Sequence, residues 1–430
     1  MINKIKNKLA SSDNRKITSN FLALSVLQGA NFLLPLLTFP YLVRVLGVDK
    51  FGLVMFAQAF MVYFTMLAEY GFNLSGTREI STHRNNHTRV VQIFSSIMLA
   101  RLILILVGFI AMNIIVFSFE KFAQNWLLYY ATYGMVVGTA LFPVWFFQGV
   151  EKMKYISILS LVAKSIFTIS IFIFVNETSD YIYVPLINAL GYIVVGIISL
   201  FIIQKDFHVA IQIQPLKRIK IQFLRGWNIF ISKISINLYT ATNTFILGVF
   251  TNETTVGYYA IAEKVVRIVT SLFAPFYQAI YPYIVALVKK SKKSSKQFIN
   301  KVFFYTFFIS LFIWTVLYVF SGTLFNIIFG SHVAVSIELF KILSPLIVIL
   351  PVAYLLFNVV LLSYKMDKYF SKIYMAGGVL NILFLVLFFL ISNNKALAVS
   401  YALLLSETII TLFAIKLLVK HNILWKESVI

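Results

Sequence analysis

The chain has 430 residues, of which 60% are hydrophobic and 12% are charged. A soluble globular domain carries about 25% charged residues, so the composition excludes an ordinary soluble protein and predicts an integral membrane protein. The net charge of +22 could suggest nucleic-acid binding, but the charges fall in short loops between apolar runs, which argues against that class. The chain contains no cysteine, so thiolate and iron–sulfur chemistry are excluded as well.

Long apolar runs predict an all-α membrane protein with about twelve transmembrane helices. The runs are continuously apolar and do not alternate, which favours helices over a barrel, and a helix needs about 20 residues to cross the bilayer. The predicted spans are residues 19–46, 51–72, 91–117, 125–148, 156–175, 183–204, 228–250, 257–287, 302–321, 340–362, 372–391 and 396–418.

Lysine and arginine concentrate on one side of the predicted membrane. Segments on the side of the N-terminus contain 27 of these residues, whereas the opposite loops contain Lys50, Lys121 and Lys395. By the positive-inside rule, both termini are predicted to be cytoplasmic. The polar, basic start has neither the apolar core nor the cleavage site of a signal peptide, so we expect a cytoplasmic tail.

The two halves of the chain resemble each other. When Gly52 is set against Gly257, both segments have Leu-Gly-Val closing one span, a short polar loop, then glycine, aromatic residues and alanines. This offset of about half the chain predicts two six-helix lobes around a central cavity. The predicted segments are a cytoplasmic tail 1–18, an N-terminal lobe 19–204, a cytoplasmic interfacial linker 205–227, a C-terminal lobe 228–418 and a cytoplasmic tail 419–430.

The linker has the pattern of an amphipathic helix after Pro215. Apolar Leu216, Ile219, Phe223 and Trp227 recur at helical spacing among basic residues, which is typical of a helix lying in the membrane interface. The alternative is an early start to the seventh span.

Charged residues inside the predicted spans are the candidate functional residues. An ionised side chain at the bilayer centre costs roughly 2.5 to 3.5 kcal/mol on insertion scales, so such residues are expected to face a wet cavity. A positive cavity suits an anionic, strongly hydrated substrate. The alternative is scattered packing roles, in which Lys233 reaches the interface and Glu263 neutralises Arg267. The candidate lumen cations are Arg101, Lys164, Lys233, Lys264 and Arg267, and the possible coupling acids are Glu407 and Glu69.

Three N-terminal motifs resemble those of the bacterial polysaccharide flippases, the Wzx or O-antigen transporter family of the multidrug/oligosaccharidyl-lipid/polysaccharide exporter superfamily. These motifs are "FPYLVRVLGVDKFGLVMFAQAF", "SGTREIS" and "WFFQGVEKMKYISI". The last contains the predicted cytoplasmic turn between spans four and five. The residues that carry the resemblance are Arg44, Gly47, Gly52, Arg78, Trp145, Gln148 and Gly149.

The resemblance implies a bacterial inner-membrane transporter that flips an undecaprenyl-diphosphate-linked oligosaccharide, an O-antigen or capsule repeat unit, by alternating access. It implies no cofactor, coupling to a proton or sodium gradient, and a polysaccharide polymerase and chain-length regulator as partners. The alternatives are a multidrug or other small-solute exporter of the same fold and a membrane polysaccharide polymerase. A polymerase needs acid/base carboxylates in a sizeable aqueous domain, and the short outer loops argue against an enzyme.

His83 and His87 have a spacing that could place two metal ligands on one helix face. However, no carboxylate or third histidine lies near them in sequence, and the neighbouring Arg84 and Arg89 repel a cation. We therefore expect no metal site.

Overall fold

A computed structural model of the chain describes residues 12–240 and 242–425, with side chains described at residues 29, 34–231 and 242–425. Nearly all of these residues are helical, and none of them forms a strand. Nine of the described helices are long and apolar enough to cross a membrane, or ten if a helix pair bent by 44° is one span. The all-α class and the multi-pass membrane character are thus confirmed.

The backbone groups into two compact units. Of the described residues, the first unit comprises 12–39 and 57–234, and the second comprises 40–56, 235–240 and 242–425. The stretch 40–56 therefore groups with the second half of the chain, whereas the predicted division assigns it to the N-terminal lobe. The reason is packing, because Gly52 and Arg44 contact helices of the second unit.

The described residues of the first half form nine helices. Its helix α1 continues through residues 40–56, so it contributes to both units. A short 3₁₀ turn, Thr178–Ile182, precedes α8. The helices are α1 Ser12–Glu69, α2 Phe72–His83, α3 His87–Ser118, α4 Glu120–Ala123, α5 Trp126–Leu141, α6 Val144–Gly149, α7 Met153–Phe174, α8 Tyr183–Phe207 and α9 Leu216–Thr240.

The second half also consists of helices. A π-helix, Leu355–Leu361, directly continues α16. The helix pair bent by 44° consists of α15 on one side and of α16 with this π-helix on the other. Pro345 lies at the bend. The helices are α10 Thr242–Phe250, α11 Glu253–Ser271, α12 Ala274–Lys290, α13 Lys292–Val319, α14 Ser321–Phe329, α15 Ala334–Leu343, α16 Leu346–Tyr354, α17 Asp367–Ile391 and α18 Lys395–Lys420.

Polar side chains fix where several helices begin. The side-chain oxygens of Asn86, Asn252, Ser291 and Asn394 accept hydrogen bonds from backbone N–H groups in the first turns of α3, α11, α13 and α18. These bonds satisfy donors that have no partner inside the helix. The sequence therefore marks these helix starts chemically.

Each of the twelve predicted spans falls on helical segments, but several boundaries differ. The first two spans form one helix, α1, interrupted only where Gly47 has non-helical angles of φ 70° and ψ 170°. The predicted fourth span is broken between α5 and α6. The backbone of the predicted linker helix continues without a break through α9 to Thr240, as expected for an early start to the seventh span.

The buried cores and the exposed faces are both apolar. Aromatic and aliphatic side chains of α2, α3, α6 and α7 form one core in the first unit, and side chains of α13, the π-helix and α18 contribute to another in the second. On the outer face of α3, Leu102, Leu106, Ile110 and Ile114 recur every fourth residue and are exposed. An exposed aliphatic stripe of this kind is expected to face lipid.

Candidate functional site

The break between α5 and α6 leaves a helix-end carbonyl without its usual donor. α5 ends at Leu141, and Pro143 precedes the first residue of α6, Val144. The N–H of Val144 donates to the carbonyl of Phe142 at 2.9 Å. In an unbroken helix it would donate four residues back, to the carbonyl of Ala140, so that carbonyl needs another donor.

Arg101 of α3 supplies this donor. Its Nη1 donates to the Ala140 carbonyl at 2.9 Å, and its Nη2 donates to Oδ1 of Asn73 at 2.8 Å. The carboxylate of Glu69 interacts electrostatically with the same guanidinium. Arg101 is only 1% exposed. It therefore lies inside the packed helices of the first unit as a cation at the C-terminal end of α5, a position that the helix dipole favours.

Lys164 lines a cavity in the first unit. This cavity has a volume of about 150 Å³ and lies next to α1, α7 and α8. Besides Lys164, the lining residues with polar side chains are Thr38, Thr168, Asn188 and Tyr192, and the other lining residues are apolar. The buried Thr168 hydroxyl makes no hydrogen bond among the described residues. The cavity thus combines one cation with hydrogen-bonding groups that could hold an anionic or hydroxylated ligand.

Arg267 and Glu407 line a larger cavity in the second unit. Its volume is about 460 Å³, and three tyrosines, Tyr277, Tyr354 and Tyr374, also lie on its wall. The Arg267 side chain is 43% exposed, whereas Glu407 is buried. A cation, an acid and three aromatic hydroxyl groups therefore meet at one cavity.

The charge of Arg267 is shared with its neighbour on the helix. Its Nε and Nη2 donate to Oε1 of Glu263 at 2.8 and 2.6 Å. The two residues are one turn apart on α11, so the predicted intrahelical pair forms. Glu407 also interacts electrostatically with Arg267. Arg267 therefore enters this largely apolar cavity with its charge offset by Glu263 and by Glu407.

Lys264 lies next to an aromatic ring and a methionine sulfur of α1. Its Nζ lies 5.7 Å from the centre of the Phe51 ring and 3.9 Å from the sulfur of Met55. A cation over an aromatic ring is stabilised by the ring quadrupole. Lys264 lines neither the cavity at Lys164 nor the cavity at Arg267. The side chain of Lys233 lies outside the described residues.

The motif around Trp145 is a packing hairpin. Trp145 is fully buried and lies 5.7 Å from the ring of Phe94. Gln148 Oε1 accepts a hydrogen bond from the Thr77 hydroxyl at 3.1 Å. At Gly149, a Cβ atom would lie 2.6 Å from the side chain of Ile80. α6 therefore packs closely on α2, while Arg78 is exposed on α2.

The first motif also has architectural contacts. Arg44 donates hydrogen bonds to the carbonyls of Ile327 and Ile328, at the C-terminal end of α14. At Gly52, a Cβ atom would lie 2.6 Å from the backbone nitrogen of Gly257. The two glycines that align in the internal repeat thus pack directly against each other, which requires that neither has a side chain.

The histidine pair does not converge on a common point. His83 Nδ1 contacts the carbonyl of Glu79 at 2.9 Å, and His87 Nε2 contacts the carbonyl of His208 at 3.1 Å. Among the described residues, no three metal-ligating side chains gather.

Sequence reasoning missed the neutral polar residues of both cavities. Asn188 and Tyr192 lie one helical turn apart on α8, and Tyr354 and Tyr374 lie on either side of the π-helix. The sequence does contain a signal for them, because Asn and Tyr at helical spacing within an apolar run indicate a polar face inside the membrane.

The fold is one that solved membrane transporters share. The structure described as lipid II flippase MurJ in an inward closed conformation matches with a TM-score of 0.72 and 12% identity, covering 92% of this chain and 87% of that chain. An inward-facing multidrug resistance MATE family transporter of the MOP superfamily matches with a TM-score of 0.62 and 13% identity, covering 89% and 94%. At these identities the likeness shows the fold alone.

The chain belongs to the family described as polysaccharide biosynthesis protein, which matches residues 17–288. A protein of Escherichia coli (strain K12) named "Putative O-antigen transporter" is 30% identical over 401 residues, covering 93% of this chain and 96% of the relative. A protein of the same name from Shigella dysenteriae is 26% identical over 400 residues, covering 92% and 98%. The family resemblance predicted from the three motifs is therefore confirmed.

Proposed function

We propose that this protein flips an undecaprenyl-diphosphate-linked oligosaccharide, an O-antigen or capsule repeat unit, from the cytoplasmic to the periplasmic leaflet of the bacterial inner membrane. The observation that carries the proposal is the pair of cavities that place Lys164 and Arg267 among apolar, membrane-crossing helices. Membership of a polysaccharide biosynthesis family and relatives named as O-antigen transporters support it.

The chemistry of this substrate agrees with the cavities. A diphosphate and its sugars lose strong hydration on entering the bilayer, which is costly unless new hydrogen bonds form. Cations bind phosphate through charge-assisted hydrogen bonds, and hydroxyl and amide groups such as those of Tyr192 and Asn188 can bind sugars. The polyprenyl tail stays in lipid. The proposed transporter moves the substrate between leaflets and breaks no covalent bond.

Energy coupling is assigned to Glu407. It is buried on α18 and lines the same cavity as Arg267, with which it interacts electrostatically. An intramembrane carboxylate that gains and loses a proton or a sodium ion beside a substrate cation can link the ion gradient to the cavity's charge. Glu69 is the weaker candidate, because it lies beside the fully buried Arg101.

The alternative is a multidrug exporter, which the likeness to the MATE family fold favours. A rescue experiment distinguishes the flippase from the multidrug exporter. It uses a bacterium whose own flippase is deleted but which still makes the lipid-linked repeat unit. Expression of this chain is expected to restore surface polysaccharide and to clear the inner pool of lipid-linked units. Drug efflux without such clearance, from protein present in the membrane, would contradict the flippase proposal.

A further inference from the structure

A third cavity in the first unit is basic, polar and separate from the residues assigned to transport. Its volume is about 200 Å³, and it lies between α2, α3 and α9. Three arginines, one histidine, one glutamate and one buried glutamine are among its lining residues. These are Arg89, Arg218, Arg225, His83, Glu79 and Gln222.

The cavity lies on the face that the positive-inside rule assigns to the cytoplasm, and its walls are fixed by packing. The Ser95 hydroxyl accepts a hydrogen bond from the backbone nitrogen of Gln212 at 3.0 Å, which ties the segment before α9 to α3. At Gly226 on α9, a Cβ atom would lie 2.7 Å from the carbonyl of Tyr70. Ile219 of α9 is buried in the core of the first unit. The first half of α9 is therefore docked on protein.

Among the described residues, two of the three arginines have no carboxylate as an ion-pair partner. Arg225 forms an ion pair with Glu79, which neutralises that acid. Arg89 donates to Oε1 of Gln92 at 3.2 Å, and Arg218 donates to Oε1 of Gln214 at 2.8 Å. These acceptors are neutral amides. Among the described residues, neither of these two guanidinium groups forms an ion pair with a carboxylate.

A buried acceptor completes the cavity. Gln222 is only 4% exposed, and its Oε1 makes no hydrogen bond among the described residues. An acceptor buried without a partner costs stability, so this oxygen calls for a donor from a ligand. Two guanidinium groups and one acceptor suit a phosphodiester that also carries a hydroxyl.

The border of the cavity is apolar and exposed. Ile221 lines it and is 37% exposed, and one turn away Leu224 is 67% exposed and Lys220 is exposed. Apolar side chains beside lysines on one helix are the arrangement found at membrane surfaces. Acyl chains of a lipid in the cytoplasmic leaflet could contact this border while its headgroup enters the cavity.

We propose that this cavity binds the headgroup of an anionic phospholipid of the phosphatidylglycerol type. Arg89 and Arg218 hold the phosphodiester, and Gln222 accepts a hydrogen bond from a glycerol hydroxyl. The lipid fastens the first half of α9 to α2 and α3 at the cytoplasmic surface. The same chemistry would also fit a soluble glycerol phosphate, so the test must separate these two sources.

The test measures which lipid stays bound to the purified full chain. The protein is first placed in nanodiscs that contain equal amounts of phosphatidylcholine and phosphatidylglycerol. It is then released from them, and native mass spectrometry identifies the lipid that it retains. The wild type is expected to retain phosphatidylglycerol in preference to phosphatidylcholine. Removing two charge-assisted contacts in Arg89→Ala/Arg218→Ala should reduce that preference about tenfold or more. The matched control Lys289→Ala/Lys290→Ala removes the same charge from exposed positions at the end of α12, away from this cavity, and should retain the wild-type preference.

Three results would overturn the proposal. They are no preference in the wild type, equal loss in both double variants, or displacement of the lipid by soluble glycerol phosphate. The Gln222→Leu variant adds a second readout in nanodiscs that also contain phosphatidic acid, because it should lower retention of phosphatidylglycerol relative to phosphatidic acid. If the double alanine variant does not fold, Arg218→Lys keeps the charge but loses the planar fork, and a smaller loss of preference is expected.

Discussion

Arg101 shows what the sequence could and could not predict about a single residue. Its position ten residues into an apolar run signals an unusual cation, and the cost of burying it predicts a wet surrounding. The structure instead pairs it with the Ala140 carbonyl, freed by the break before α6, and with Asn73. The break is visible as Phe142-Pro143. The pairing joins residues 39 apart in sequence, and a single sequence holds no signal for that distance.

Arg101 and Lys164 should therefore behave differently when truncated. Arg101→Ala leaves buried acceptors unpaired, so we expect destabilisation by about 3 kcal/mol or more, and Arg101→Lys should recover part of it. Lys164→Ala should fold like the wild type but reduce transport, with Lys164→Arg retaining part. Two measurements separate the effect on stability from the effect on transport. They are the melting temperature of each variant in detergent and the amount of surface polysaccharide in cells with matched protein levels. A wild-type melting temperature for Arg101→Ala would refute its packing role.

In the proposed mechanism, Glu407 is the residue that couples transport to an ion gradient. Glu407→Gln keeps the size and the hydrogen-bonding capacity but removes the titratable group, so transport should no longer respond to an imposed ion gradient. Downhill exchange of substrate should persist, because Arg267 and the cavity remain. The measurement is flipping in proteoliposomes with and without a proton or sodium gradient. Glu120→Gln, at an exposed position, is the control, and unchanged gradient dependence of Glu407→Gln would exclude this role.

At the scale of elements, apolar length predicted where helices lie but not where they break or join. The bend in α1 depends on the φ of 70° at Gly47, a conformation open to any glycine but found among the described glycines only at Gly47, Gly71 and Gly330. The continuous α9 combines an amphipathic start with the beginning of a span, which is the alternative that the sequence left open beside a separate interfacial helix. Helix ends held by distant cations, as Arg44 holds α14, depend on tertiary contacts and were not predictable.

The crossing of α1 and α11 gives a sharp element-scale prediction. At Gly52, a Cβ atom would lie 2.0 Å from the carbonyl oxygen of Glu253 and 2.6 Å from the nitrogen of Gly257. Because backbone cannot move aside cheaply, Gly52→Ala should cost more than the 1 to 3 kcal/mol, roughly, of ordinary overpacking.

The matched control is Gly322→Ala in α14, where a Cβ atom meets nothing within 4 Å. Alanine is favoured over glycine in a helix by about 1 kcal/mol, so this variant should be neutral or more stable. Thermal unfolding and expression level are the readouts. Equal melting temperatures for Gly52→Ala and Gly322→Ala would contradict the close crossing.

At the scale of the whole molecule, the charge asymmetry predicts the orientation in the membrane. The chain has no native cysteine, so single cysteines report topology directly. Thr178→Cys and Ser331→Cys, both at exposed positions, should react with an impermeant thiol reagent from outside intact spheroplasts. Lys293→Cys, also exposed, should react only after the membrane is opened. The reverse pattern would overturn the assignment of cytoplasmic termini.

The central claim is that the protein moves a lipid-linked diphosphate oligosaccharide between leaflets. Its most direct test reconstitutes the purified chain in liposomes carrying labelled undecaprenyl-diphosphate oligosaccharide in one leaflet. The fraction of sugar that becomes accessible to a membrane-impermeant glycosidase on the other side is then measured. We predict that accessibility rises with the wild-type protein and rises far less with Lys164→Ala. Wild-type liposomes no more accessible than protein-free ones, with the chain folded and a gradient applied, would contradict the claim.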